Sequence, residues 1–245
     1  MTIYHKKIGC GPNLVLLHGF GFHSEIWQEL VNHLQTHFTL HLLDLPGFGL
    51  SRHSAFPDNL PHLIQALLPV LPQQAQYCGW SLGGFIAMAL AVYVPERVQK
   101  LVTVGSTPCF LEAENWRGVH HQDFQRFYRD IQHHPQQGLK RFLTLLLADH
   151  ADHRRYFIPL ANRLFQQGVP SKPTLLSALS LMREGDLRRE MQQIHCSHFH
   201  LTGEKDLLTP VNVSFPRVII PAAGHLPFLT HRDVFLSVLR EFLDD

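Results

Sequence analysis

A chain of 245 residues fits one large domain or two small ones, and a single domain of that size buries roughly 70–75% of the surface its unfolded chain exposes. Its 21 basic and 20 acidic residues leave a formal charge of +1, so the basic stripe of a nucleic-acid binder is missing and no nucleic-acid partner is expected. No segment offers about 18 uninterrupted apolar residues, and the opening MTIYHKKIGC lacks the apolar centre of a signal peptide, which predicts a protein that neither enters a membrane nor is exported.

The cysteines Cys10, Cys78, Cys109 and Cys196 are widely separated and form no CxxC pair, so they read as reduced thiols in a cytoplasmic protein. Nineteen histidines are unusual. Free imidazole titrates near about 6.5, so the chain is expected to become cationic as pH falls through that region. Neighbours such as His120-His121 and His133-His134 cannot present two ligands on one helical face, and no metal site or cofactor is expected.

In chain order, short apolar runs bounded by turn residues come first: LVLLH (14–18), LHLLDLPG (40–47), QYCGW (76–80) and KLVTVGS (100–106). They read as buried strands. Helix-compatible segments separate them at 24–37, 59–72 and 82–96, and this alternation predicts a parallel sheet covered on both faces, an α/β fold. From Pro108 to about Arg189 only helix-like pieces follow, which predicts an inserted helical unit. Strand-like sequence returns in SHFHLTGE (197–204) and RVIIPAAG (217–224), and HRDVFLSVLREFLDD (231–245) makes a closing amphipathic helix. The expected organisation is a core of residues 1–107 and 190–245 with a lid at 108–189.

Within that frame, Gly79-Trp80-Ser81-Leu82-Gly83 matches G-x-S-x-G at a change from strand to helix. Such a turn lifts a serine hydroxyl above the sheet edge, and the glycines leave room for the neighbouring chain. A serine hydroxyl is a weak nucleophile until a base takes its proton, so the motif requires a histidine held by a carboxylate. His225 directly follows the last predicted strand and Gly224, where a loop can carry imidazole over the strand tops. Asp206 ends the preceding strand on the same rim, and Asp44, in DLPGFGLS, is its competitor and reads as part of a structural loop. The alternative for Ser81 itself is a plain helix cap.

With these residues in place the chain resembles the α/β-hydrolases, whose triads run in the order Ser, Asp, His, as Ser81, Asp206 and His225 do here. HGFG (18–21) resembles their oxyanion loop, and the backbone N–H groups of Phe20 and Leu82 are the expected donors, each worth about 3–4 kcal/mol to a transition state. The expected architecture is a mostly parallel central sheet with helices on both faces and an inserted helical lid. More narrowly, LLDLPGFGLS, GWSLGG, LVTVGSTPCF, Trp116-Arg117-Gly118, LKRFLTLLL and LPFLTHRDVF resemble the pimeloyl-[acyl-carrier protein] methyl ester esterases of biotin synthesis.

That resemblance implies a monomeric serine esterase that removes the methyl group from a pimeloyl chain carried by acyl carrier protein. It implies substrate contacts at Phe20, Ser81, Leu82, Phe142, Leu143, Thr144, Leu145, Leu146 and His225, and a carrier-protein surface with Arg141 and Arg154 at the matching places, beside which Lys140 and Arg155 are expected to join it. Gly138 and Ile158 stand where further arginines are expected. Only 18 residues lie between Asp206 and His225, too few for the usual crossover helix, so a loop is expected there. A broad short-chain esterase or a C–C bond hydrolase would use the same triad. A non-catalytic binding protein of this fold need not retain it.

Overall fold

The structure, a computed structural model, describes residues 2–148, 153–209 and 216–244. Its strands are β1 (His5–Gly9), β2 (Asn13–Leu17), β3 (Thr39–Leu43), β4 (Ala75–Trp80), β5 (Val98–Val104), β6 (Ser197–Gly203) and β7 (Arg217–Ile220). They form one sheet in the order β1-β3-β2-β4-β5-β6-β7. Every neighbouring pair is parallel except β1 with β3. The central strands β3 and β4 are buried along their whole length, which explains why they are mostly apolar on both faces. β1 is the strand that the sequence did not announce. HKKIG has one large apolar residue, and its lysines suit an edge strand that must discourage further pairing.

Helices α1 (Gln28–Leu34), α2 (Leu60–Leu67) and α3 (Leu82–Tyr93) occupy the crossovers of the first half. α2 begins on Asn59, whose side chain accepts the His62 N–H, with Pro61 in the first turn. α3 packs against β2, β4 and β5 and buries every residue from Leu82 to Ala91; its glycines and alanines let it approach that closely.

Among the described residues, four α-helices lie between β5 and β6: α4 (His121–His133), α5 (Pro135–Leu146), α6 (His153–Gln166) and α7 (Lys172–Glu184). The two ends of this stretch meet, since the Leu187 N–H donates to the Pro108 carbonyl at 2.8 Å and Cys109 bridges Asp186. After β7 come the short α8 (Pro227–Thr230) and the closing α9 (Arg232–Asp244). β6 and β7 are parallel, as a crossover there requires, but residues 210–215 of the expected loop lie outside the described residues.

An aromatic cluster beneath the strand tops braces the site. Trp80 packs edge-on against Phe22 at 5.2 Å and Phe228 at 5.4 Å, and Phe228 lies 4.6 Å from Trp27. These rings tie the ends of β2 and β4 to the segment after β7.

Candidate active site

Ser81 sits between β4 and α3 with φ 54° and ψ −119°, a conformation that L-residues rarely hold. Its surroundings over-determine it: the Ser81 N–H donates to the Val104 carbonyl at 2.9 Å, and the Ser106 hydroxyl donates to the Ser81 carbonyl at 2.7 Å. The flanking glycines are a steric requirement. A Cβ on Gly83 would stand 2.2 Å from the Leu17 carbonyl oxygen, and one on Gly79 would stand 2.3 Å from that of Gly83.

The turn after β6 brings Asp206 to the rim, and the turn after β7 brings His225 beside it. His225 Nδ1 lies 2.9 and 3.0 Å from the two Asp206 carboxylate oxygens, with both side chains buried. Asp206 also accepts the Thr209 hydroxyl at 2.6 Å and the Leu208 N–H at 2.9 Å. Burial pushes the carboxyl up. Its attraction to His225 and these hydrogen bonds outweigh that and hold it below its ordinary range. An ionised Asp206 can only accept, so Nδ1 carries the hydrogen and neutral His225 has its lone pair on Nε2. That nitrogen is buried and has no hydrogen-bond partner, so the link to the Ser81 hydroxyl is the one part of the triad that is open. Such contacts commonly close only when substrate binds. Trp80 Nε1 donates to the His225 carbonyl at 2.9 Å, which anchors the backbone that carries the imidazole.

Gly105, with φ +48°, lies against this pair: a Cβ there would stand 3.0 Å from His225 Nδ1 and 3.1 Å from the Asp206 carboxylate. Gly105→Ala is therefore expected to lower kcat on a short p-nitrophenyl ester by about tenfold or more, because small displacements of a positioned base are costly. An unchanged kcat in a folded variant would show that the pair tolerates the intrusion.

The 18–21 turn is held by His18, fully buried, which lies 2.9 Å from the Gly19 carbonyl through Nδ1 and accepts the Leu45 N–H through Nε2 at 2.9 Å. Phe20 follows, and Leu82 opens α3, where the first N–H groups have no acceptor in their own helix. Asp44 is committed elsewhere. Its carboxylate accepts the Ser24 N–H at 2.7 Å and the Leu50 N–H at 2.8 Å, tying two loops together instead of orienting an imidazole. Burial pushes the Cys78 thiol up to about 12 and raises that of Cys109, so neither is poised as a nucleophile. Among the described residues no three His, Cys, Asp or Glu side chains converge as a metal would require.

Ser81 and His225 line one cavity of about 110 Å³ with Phe20, Phe142 and Leu145. Of the run Phe142 to Leu146, only Phe142 and Leu145 face it. Leu143 is buried in the core, Thr144 is exposed with its hydroxyl on the Lys140 carbonyl, and Leu146 borders a second, smaller void that also touches His225. The expected five-residue wall narrows to an i, i+3 pair, because consecutive positions of a helix point in different directions. Leu82 keeps its side chain in the core and offers the site only its backbone.

The rest of the cavity wall includes Phe124 and Phe127 of α4, Leu179 and Met182 of α7, and Phe110, with Val119, Asp123, Leu208 and Thr209 completing it. The sequence reading missed them, although the spacing of Phe124, Phe127 and Ile131 was the available signal for an apolar face on α4. Outside lies an open cleft of about 690 Å³ that shares Val119, Asp123, Phe127, Phe142, Leu145 and Leu208 with the cavity. Arg117, Arg126 and Arg141 line this cleft. Arg141 is held to Asp130 at 2.6 Å. Lys140, Arg154 and Arg155 are exposed on α5 and α6 and are not part of the cleft lining.

A mostly parallel sheet whose β4–α3 turn carries a strained serine, with a His–carboxylate pair on the same rim, defines an α/β hydrolase. The alpha/beta hydrolase fold family model matches residues 12–231, and the chain belongs to that family. Solved structures agree in fold: an enol-lactonase from Burkholderia xenovorans LB400 superposes with a TM-score of 0.84 at 20% identity, covering 99% of this chain and 96% of that one. An esterase from Exiguobacterium antarcticum gives 0.82 at 21% identity, with 99% and 96% covered.

Sequence relatives are more specific. A pimeloyl-[acyl-carrier protein] methyl ester esterase of Nitrosomonas europaea is 36% identical over 96% of this chain and 97% of its own, and one of Pectobacterium carotovorum is 35% identical over 98% of each. Within the α/β hydrolases, the chain belongs to the family of pimeloyl-[acyl-carrier protein] methyl ester esterases.

Proposed function

We propose that the protein is a serine carboxylesterase that hydrolyses the methyl ester of pimeloyl-[acyl-carrier protein], giving methanol and pimeloyl-[acyl-carrier protein] in biotin synthesis. The observation that carries the chemistry is the unpartnered Nε2 of an Asp206-held His225 in the same apolar cavity as Ser81. The names of the relatives supply the substrate. In this reading Ser81 Oγ attacks the ester carbonyl as its proton passes to His225 Nε2, and the Phe20 and Leu82 N–H groups receive the oxyanion. Methanol departs with that proton. Water, deprotonated by His225, then attacks the acyl-enzyme and restores Ser81.

Residues 108–189 act as a lid over a core of 1–107 and 190–245. The juxtaposed ends at Pro108 and Leu187 support this division, and Phe142 and Leu145 face the acyl chain from the lid. The enzyme works as a monomer in the cytoplasm, where its carrier-bound substrate is made, and needs no cofactor. Purified protein is expected to release methanol from the carrier-bound methyl ester and to restore growth of a biotin-requiring strain that lacks this esterase. Hydrolysis of short esters without either result would leave a broad short-chain esterase.

Lys140, Arg141, Arg154 and Arg155 form the carrier-facing surface in this reading, and acyl carrier proteins are acidic beside their prosthetic arm. Exposed charge pairs contribute roughly 0–1 kcal/mol each, so the patch acts mainly on encounter rate. Arg141→Glu with Arg154→Glu should lower kcat/KM on the carrier-bound ester at low salt and leave a free short methyl ester almost unchanged. Equal losses on both substrates would mean that the charges hold the lid together, as the Arg141–Asp130 pair already does in part.

A further inference from the structure

Ester hydrolysis turns an uncharged group into a carboxylate at the place where two backbone N–H groups and the start of α3 favour negative charge. That arrangement by itself retains the product. The remaining lining of the cavity bears on this. Among the described residues it is almost wholly apolar and includes no lysine or arginine, and the one charged residue in it besides the imidazole is an acid, Asp123 of α4. Asp123 lies on the boundary, since it borders both the cavity and the outer cleft, whereas Arg117, Arg126 and Arg141 line the cleft alone, together with Glu112 and Asp130. Arg126 stands 3.8 Å away and both side chains are largely exposed, so the pair is loose, and water screens part of the acid's charge, which makes its effect modest and sensitive to salt.

We propose that Asp123 makes the site select the uncharged ester over the carboxylate that it generates, so that product leaves into the open outer cleft instead of remaining on the oxyanion donors. This rests on the ester-hydrolase reading of Ser81, though it does not depend on which acyl chain is natural. The acid sits at the mouth and not at the reacting atoms. It therefore acts on the affinity of anionic ligands and makes no contribution to bond breaking.

Binding in the Ser81→Ala protein isolates the effect from turnover. Calorimetry at low salt should show heptanamide binding more tightly than heptanoate, two ligands of equal length that differ in charge. Adding Asp123→Asn, or separately Asp123→Ser, should narrow the heptanamide-to-heptanoate affinity ratio by about three- to tenfold through tighter heptanoate binding, and salt should erase the change. An unchanged ratio in both variants overturns the proposal. So does an equal shift for both ligands, which would mark Asp123 as a structural residue, or failure of either ligand to bind. If the ratio moves as expected but wild-type protein hydrolyses no methyl ester, the ester-hydrolase reading fails and the charge selectivity stands.

Discussion

Ser81→Ala should lower kcat on a methyl ester by about 10⁶-fold, and His225→Ala should do the same, because nucleophile and base act as one unit and either loss disables both. Asp206→Asn is expected to leave more activity, at a loss of about 10⁴-fold, since the oxyanion donors and an intact imidazole remain while the amide no longer holds the Nδ1–H tautomer. The geometry sharpens this last expectation. Asp206 receives four donors, from Leu208, Thr209 N–H, the Thr209 hydroxyl and His225, and an amide presents hydrogens to some of them. Steady-state kinetics on a short ester, with circular dichroism to confirm folding, checks all three. A His225→Ala protein that keeps more than about a tenth of wild-type kcat would remove imidazole from the mechanism.

Stability should fall steeply on mild acidification. Burial holds His18 down to about 4, and burial together with the charges of His5 and Lys7 holds His41 down to about 4. Desolvation likewise lowers His5 and His200, the latter also to about 4. The hydrogen bonds require these neutral forms. His41 Nε2 lies 2.9 Å from Asn13 Oδ1, whose amide nitrogen donates to the Gln74 carbonyl; His41 Nδ1 is then left to accept from His5 at 2.9 Å. A proton on His41 would set donor against donor between β1 and β3.

The folded values lie below the unfolded value of 6.5, so the unfolded chain binds protons first. The contribution is complete above about pH 6.5 and is lost progressively down to about pH 4. His18 is fully enclosed and contributes roughly 3 kcal/mol, a large share of a typical total of about 5–15 kcal/mol, and His41, beside the edge strand, adds less. The urea midpoint should drop sharply between about pH 7 and 4.5, and His41→Asn should flatten part of that drop. A midpoint that stays level across the range would mean that these histidines protonate without penalty.

Much of this molecule is decided locally. The short, largely apolar runs of β2 to β5, bounded by turn residues and alternating with helical segments, read as buried strands, and G-W-S-L-G at a strand–helix change points to the tight turn found at Ser81, where no Cβ fits at Gly79 or Gly83. Chain order likewise put Asp206 and His225 after the two final strands, where the structure finds them paired. What remained open needed the third dimension. An edge strand such as β1 carries little periodic signal, since neither of its faces is fully buried and its pairing is made with β3, far along the chain. Asp44 and Asp206 both follow strands, and only packing shows that loop amides occupy the first while imidazole faces the second. A helical period states that some face of α5 is apolar. Which residues meet the cavity depends on how the helix is rotated against α4, and that rotation selects Phe142 and Leu145, closes the wall with Phe124 and Phe127, and sets Asp123 at the mouth.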